Sequence, residues 1–117
     1  MADQLGEAAA HFSRWLDSTY SHELPTEVYL WRRIAKVNEE GGEVIEALLG
    51  YLGENPRKGK THTLDDVVGE LLDVAFAALG AVEHITGNTG ESTGLLLQKA
   101  KYVCERASIR LDGFYKP

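Results

Sequence analysis

Four acidic residues of this sequence form two pairs with the same spacing. Glu40 and Glu43 make the first pair, and Glu70 and Asp73 make the second. Residues three apart lie on the same side of a helical turn, so each pair presents two carboxylates together. Carboxylate oxygens, with neither cysteine nor histidine, are the ligands that Mg²⁺ or Mn²⁺ prefers. The spacing therefore indicates a metal site, although acidic pairs of this kind are also common on solvated helix surfaces.

Small residues accompany both acidic pairs. A helical projection of the segment around Glu70 places the acidic residues on one side together with Gly69, Ala77 and Gly80. The first pair is interrupted by Gly41 and Gly42, and each glycine costs about 1 kcal/mol relative to alanine inside a helix. These small residues predict that a ligand or a neighbouring backbone comes close to the carboxylates.

Glycine, proline and capping signals divide the chain into four helical segments. We predict helices from about Gln4 to Tyr20, from Pro25 to Leu52, from the N-cap Thr63 to Gly87, and from Ser92 to Leu111. Asp66 stands in the capping-box position after Thr63. No segment alternates with period two, so no strand is predicted. The predicted fold class is all-α, a four-helix bundle-like single domain over residues 1–117.

Composition and charge indicate which partners and which cellular compartment to expect. The chain has 117 residues, 44% of them apolar and 26% charged, as is usual for a soluble globular protein. A formal net charge of −6 argues against a nucleic-acid partner. One cysteine excludes an intrachain disulfide and favours a reducing compartment. No apolar run is long enough to span a bilayer, so we expect a cytoplasmic protein with no membrane partner.

The two acidic pairs lie in a longer pattern that resembles a known family. The run from Lys36 to Ala47 reads KVNEEGGEVIEA, and the run from Glu70 to Val74 reads ELLDV. Together they resemble the signature of the MazG-like, all-α NTP pyrophosphatase superfamily. The resemblance covers residues 31–79, a little under half of the chain.

The resemblance implies an oligomeric, Mg²⁺-dependent enzyme that cuts between the α- and β-phosphates of a nucleoside triphosphate. Its products would be a nucleoside monophosphate and pyrophosphate, and its role the sanitation or control of the nucleotide pool. The metal ligands that it implies are Glu40, Glu43, Glu70 and Asp73, with Mn²⁺ as a possible substitute for Mg²⁺. Glu39 or Glu46 would position or deprotonate the attacking water.

Cations that bind the phosphates are harder to assign from the resemblance. The family places a basic residue and an aromatic one on the helix after the acidic pair, with an arginine one turn on. Lys101-Tyr102 begins this pattern, but Arg106 follows Lys101 by five residues rather than four. The candidates for substrate binding are Lys36, Arg57, Lys58, Lys101 and Arg106.

The residue pattern also bears on two alternatives to this enzyme. A di-iron carboxylate bundle requires Glu-x-x-His on two helices, and the sequence contains no such motif. A catalytically silent helical binding or regulatory module that keeps the fold remains open. The preferred base and sugar also remain open, because no residue type marks them.

Apolar residues lead to two further expectations. Trp15 and Trp31 occupy apolar helical positions, and we expect them to pack. Four helices of this length expose apolar surface unless they pair with another chain. We therefore expect a homodimer or a dimer of dimers.

Overall fold

The computed structural model describes residues 2–20 and 23–107, and it folds them into four helices. They are α1 (Gln4–Ser18), α2 (Thr26–Leu52), α3 (Leu64–Thr86) and α4 (Ser92–Arg106). These ranges contain no strand, so the all-α class and the four helices are confirmed. The predicted end of the last helix, at Leu111, lies outside the described residues. None of the described helices combines the length and apolar character that crossing a membrane requires.

The helix ends follow the local signals of the sequence. The side chain of Thr63 accepts a hydrogen bond from the backbone N–H of Asp66, whose carboxylate accepts one from the N–H of Thr63, as predicted. Gly53 and Gly87 cap the C-terminal ends of α2 and α3, and each has the left-handed conformation that favours glycine. These signals fix the length of the two central helices, and thereby the position of the acidic pairs.

α2 and α3 pack against each other as a helical hairpin, and α1 packs on α3. The ring of Phe12 in α1 lies against the ring of Phe76 in α3, with their centroids 5.3 Å apart. The buried core is made largely of small residues, including Ala9, Ala47 and Ala81. Small side chains allow the helices to approach closely, but they leave the core thin.

A buried arginine joins the first three helices. Arg33 of α2 is only 5% exposed, and it donates hydrogen bonds to the Tyr20 hydroxyl and the Gly80 carbonyl. It also donates to the carbonyl and hydroxyl oxygens of Ser13, and its ion pair with Asp17 is 2.9 Å long. The planar guanidinium has five donors, so one side chain satisfies partners on different helices.

α4 is attached to the rest of the fold at its first turn. The buried carboxylate of Glu83 in α3 accepts hydrogen bonds from the backbone N–H groups of Gly90 and Ser92, both at 2.8 Å. Beyond this turn every residue from 94 to 100 is exposed. Among the described elements α4 contacts α1 and α3 but not α2. The bundle-like packing that we predicted therefore holds for three helices, while the fourth extends away from them.

Much apolar surface stays uncovered as a result. Trp15 and Trp31 are 58% and 69% exposed. The Trp15 ring stacks on the Phe12 ring with centroids 6.0 Å apart, so the expected packing is partial for Trp15 and is not found for Trp31 among the described residues. The α2–α3 hairpin also exposes large apolar side chains that share one side of each helix, namely Ile34, Ile45 and Leu52 on α2 and Leu64, Val68 and Leu71 on α3. The radius of gyration is 17.5 Å, whereas a compact domain of this length has about 13 Å. We call the surface formed by these six residues the uncharged hairpin face.

Candidate metal centre

Three of the four predicted metal ligands come together where α2 and α3 cross. Glu40 and Glu43 project from α2 toward α3, and Glu70 projects from α3 toward them. One carboxylate oxygen of each residue lies within 4.8 Å of those of the other two. All three side chains are half-buried between the helices. We call these three residues the carboxylate cluster.

Two oxygens of this cluster are left without a hydrogen-bond partner. Glu40 Oε2 and Glu70 Oε2 are both buried, and neither is hydrogen bonded. The other oxygen of Glu40 lies 3.2 Å from Lys36 Nζ, which also lies 3.6 Å from Glu39 Oε1. A buried, unpaired carboxylate oxygen costs free energy, because it loses water and gains no donor. The cluster thus has the hard oxygen atoms and the unmet charge that suit a divalent cation.

The proximity of the carboxylates changes their protonation. A hydrogen bond shared with Glu40 raises the pKa of Glu43, and the negative charges of Glu40 and Glu70 raise that pKa further. The hydrogen bond to Glu40 in turn raises the pKa of Lys36, as do the neighbouring glutamates. Glu43 therefore keeps its proton to a higher pH than an isolated glutamate does.

Asp73, the fourth predicted ligand, lies outside the cluster but beside it. It is exposed, and it lines the same cavity as Glu40. It also lines a shallow groove that runs from His62 past Asp66 and Glu70. Asp73 thus stands between the cavity and the groove, within the acidic surface that surrounds the cluster.

A cavity of about 390 Å³ opens next to the carboxylates. Its apolar lining comes from α1 and α3 and includes Phe12, Leu16, Phe76 and Ala77. Its polar lining comes mainly from α2 and includes Arg32, Arg33, Lys36 and Glu40. The cavity therefore joins an aromatic wall to a cationic and acidic edge.

The aromatic wall was not found by reasoning from the sequence. Phe12 and Phe76 stand at ordinary apolar positions of their helices, where core packing is the default interpretation. The burial of Arg33 could have been inferred from the sequence, because this charged residue lies one helical turn after Tyr29, which is buried. A charge at such a position needs buried partners, and Arg33 has them.

The remaining predicted residues are dispersed. Glu39 is exposed on α2 beside Lys36. Glu46 and Lys58 line another groove, near the α2–α3 loop that also carries the exposed Arg57.

The cations predicted on the last helix lie away from the cluster. Lys101 and Arg106 belong to α4, which does not contact α2 among the described residues. The close approach predicted at Gly41 and Gly42 is not made by the part of the chain that the structure describes, since apart from the surrounding turn of α2 no atom of it lies within 4 Å of a Cβ placed at either glycine.

Comparison with known proteins adds no relative. No family model matches the chain, and no similar curated protein or similar solved structure was found.

Proposed function

We propose that this protein is a Mg²⁺-dependent nucleoside triphosphate pyrophosphohydrolase. The observation that carries the proposal is the pair of unpartnered buried oxygens, Glu40 Oε2 and Glu70 Oε2, at the edge of an aromatic cavity. Buried polar atoms are nearly always satisfied in folded proteins, so two orphaned anionic oxygens in one cluster call for a cation. The resemblance of residues 31–79 to the MazG-like superfamily supports the same activity.

The carboxylate cluster is suited to hold the metal ion. Glu40, Glu43 and Glu70 supply oxygen ligands from two helices, and Asp73 adds negative charge beside them. Bound Mg²⁺ supplies charge neutralisation on the phosphates and lowers the pKa of a coordinated water. Hydrolysis of a phosphoanhydride mainly requires these two effects together with alignment of the groups. A water-positioning role for Glu39 or Glu46 stays a prediction.

The cavity beside the cluster is suited to the nucleoside. Its volume lies within the range of small-molecule sites, about 300 to 1,000 Å³. The rings of Phe12 and Phe76 offer an apolar wall for a base, and base–aromatic stacking contributes about 1–3 kcal/mol per base. Arg32 and Lys36 lie at the polar edge, where they can meet phosphate oxygens. A nucleotide bound in this way extends its phosphates from the cavity toward the carboxylates.

We propose that the working form is a homo-oligomer. The uncharged hairpin face exposes six large apolar side chains, and monomeric proteins rarely leave a large apolar patch in water. A second copy is the simplest partner that covers it, because a two-fold axis pairs the same surface with itself.

A product assay tests the activity. The protein is incubated with Mg²⁺ and a panel of canonical and modified nucleoside triphosphates, and the products are separated by chromatography. We expect a monophosphate and pyrophosphate from at least one nucleotide, and their loss with EDTA or in Glu70→Gln. Glu91→Gln is the matched control, because Glu91 is exposed at the start of α4. Mg²⁺ binding without turnover of any nucleotide would favour the silent binding module instead.

A further inference from the structure

One face of α4 combines apolar and basic side chains and is exposed. Lys99 Nζ and Arg106 Cζ lie 5.8 and 5.6 Å from the centre of the Tyr102 ring, so all three side chains share one side of the helix. Leu95 lies one turn before Lys99 on the same side and is 43% exposed. We call this surface, made of Leu95, Lys99, Tyr102 and Arg106, the basic α4 face.

The outer side of α2 presents the complementary pattern. Glu39 and Glu46 are exposed and stand two helical turns apart, about 10.5 Å along the axis. Gly42 lies between them and is exposed, and a Cβ there would meet nothing within 4 Å. Leu49 continues this side of the helix and is 46% exposed. We call the surface of Glu39, Gly42, Glu46 and Leu49 the acidic α2 face.

We propose that a second copy of this chain lays its basic α4 face along the acidic α2 face. Lys99 and Arg106 are also two turns apart, so each cation can meet one of the two glutamates. Tyr102 then falls midway between the cations, opposite Gly42, where the missing side chain leaves room for a ring. The antiparallel direction also brings Leu95, one turn before Lys99, next to Leu49, which follows Glu46 by three residues.

The occupant is a second copy because the two faces do not meet within the described part of one chain. Among residues 2–20 and 23–107, α4 contacts α1 and α3 but makes no contact with α2. The two faces have opposite charge and equal spacing, which is the complementarity that selects a partner. A two-fold exchange repeats the contact and doubles the apolar area that leaves water.

The same contact accounts for a costly feature of α2. Glycine inside a helix is unfavourable by about 1 kcal/mol relative to alanine, and outside its own turn of α2 no described residue comes within 4 Å of a Cβ placed at Gly42. A tyrosine ring from another copy supplies the close approach that such a glycine permits. The proposal gives Glu39 and Glu46 a role at this interface, and the interface does not require their predicted role in positioning water. It rests on the homo-oligomer that we propose and not on the hydrolytic activity.

Zero-length crosslinking of the unaltered protein tests the contact. Light and isotopically heavy chains are mixed, allowed to exchange, and treated with a carbodiimide, which joins a lysine amine to a touching carboxylate. We expect peptides that join Lys99 of one isotope to Glu39 or Glu46 of the other. Crosslinked oligomers without such a mixed-isotope peptide would overturn the proposal, as would a protein that is monomeric at micromolar concentration.

Charge reversal gives an independent test by light scattering. Lys99→Glu with Arg106→Glu is expected to weaken association at least tenfold, and adding Glu39→Lys with Glu46→Lys is expected to restore it. Arg57→Glu with Lys58→Glu is the control, because it makes the same change in net charge on the exposed loop. The pairing would be overturned if the α4 charge reversal leaves association unchanged, or if the added α2 changes do not restore it. Neither test uses metal or nucleotide, so neither result depends on whether the protein hydrolyses nucleotides.

Discussion

Glu40 and Glu70 lie on different helices, and each holds one buried carboxylate oxygen that has no hydrogen-bond partner. Their other neighbour in the cluster, Glu43, shares a hydrogen bond with Glu40 and has a raised pKa. The packing of α2 on α3 thus gathers negative charge in one place without supplying donors to balance it. Natural folds keep such an arrangement where a ligand completes it.

Divalent metal is expected to stabilise the protein through this cluster. Mg²⁺ at about one hundred times its dissociation constant adds roughly 2.7 kcal/mol to the free energy of unfolding, by mass action. Thermal denaturation with and without Mg²⁺ measures the effect, and Glu70→Gln is expected to abolish it. In the absence of metal the same variant should be slightly more stable than the parent, because like charges repel. An equal Mg²⁺ response in parent and variant would exclude Glu70 as a ligand.

Metal binding is expected to weaken at a higher pH than it would with a carboxylate of ordinary pKa. The raised pKa of Glu43 means that a proton competes with the metal above the usual range of glutamate. Affinity for Mg²⁺ should therefore fall as the pH is lowered through that raised pKa. Without metal the sign is opposite: the folded state binds the proton more tightly than the unfolded state, so stability is lost as pH rises through the folded pKa.

Calorimetric titration with Mg²⁺ over a pH series, in buffers of different ionisation enthalpy, counts the protons released. Glu43→Gln removes the competing group, and its residual Mg²⁺ binding should depend less on pH. Proton release by this variant that equals the parent's would place the titrating group elsewhere.

Glu83 is expected to hold α4 in place. Burial alone raises the pKa of this carboxyl, but hydrogen bonds from Ser92 and Gly90 outweigh burial, so the net pKa is lowered. Stability from Glu83 is therefore present above its unfolded pKa and is lost as pH falls through the folded pKa. Glu83→Gln should cost about 2 kcal/mol in the free energy of unfolding, because hydrogen bonds to a charged group are strong.

Urea denaturation near neutral pH checks this value. Glu91→Gln is the control, since the Glu91 side chain makes no cap hydrogen bond. Hydrogen exchange at the first turn of α4 should also speed up in Glu83→Gln. Unchanged exchange at the amides of Gly90 and Ser92 would show that another contact holds this turn.

Substitution of the buried Arg33 is expected to lower the free energy of unfolding strongly, although Arg33 lies outside the cluster. Arg33→Lys keeps the charge but loses the fork that reaches Tyr20, Ser13 and Asp17, so partners are left unpaired. We expect a loss of about 3 kcal/mol in the free energy of unfolding, as for a broken buried ion pair. Arg32→Lys, at the neighbouring exposed arginine, should cost less than about 0.5 kcal/mol. Similar losses in the two variants, measured by denaturant unfolding, would refute a special role for Arg33.

Phe76 is expected to affect nucleotide binding and not metal binding. Phe76→Ala removes part of the aromatic wall of the cavity, and loss of one stacking contact costs about 1–3 kcal/mol. With an active nucleotide we expect KM to rise at least several-fold, while Mg²⁺ affinity measured by calorimetry stays at the parent value. A parallel fall in Mg²⁺ affinity would indicate that the change disturbs the α1–α3 packing instead.

The sequence predicted the features that local signals encode. Glycines at 53 and 87, together with the capping box of Thr63, predicted the ends of the central helices. The three-residue spacing of Glu40 and Glu43 placed these two carboxylates on one side of α2, and their meeting with Glu70 followed from the family resemblance and not from spacing. The contacts of Arg33 were not predicted, because its partners on α1 and α3 are distant in the chain and no periodicity links them. Exposure of Trp31 was also missed, since an apolar position on a helix does not reveal which chain covers it.

Because α4 is attached at a single turn, small changes at that turn have a large effect on the direction of the helix. The helix is about 22 Å long at 1.5 Å per residue, and the Glu83 carboxylate is bound to its first backbone N–H groups. A tilt of about 10° at this joint displaces the far end by roughly 4 Å, about three-quarters of the 5.4 Å pitch of a helix. Substitutions between residues 83 and 92 would then change the direction of α4 and the position of its far end, although most of the helix keeps its sequence.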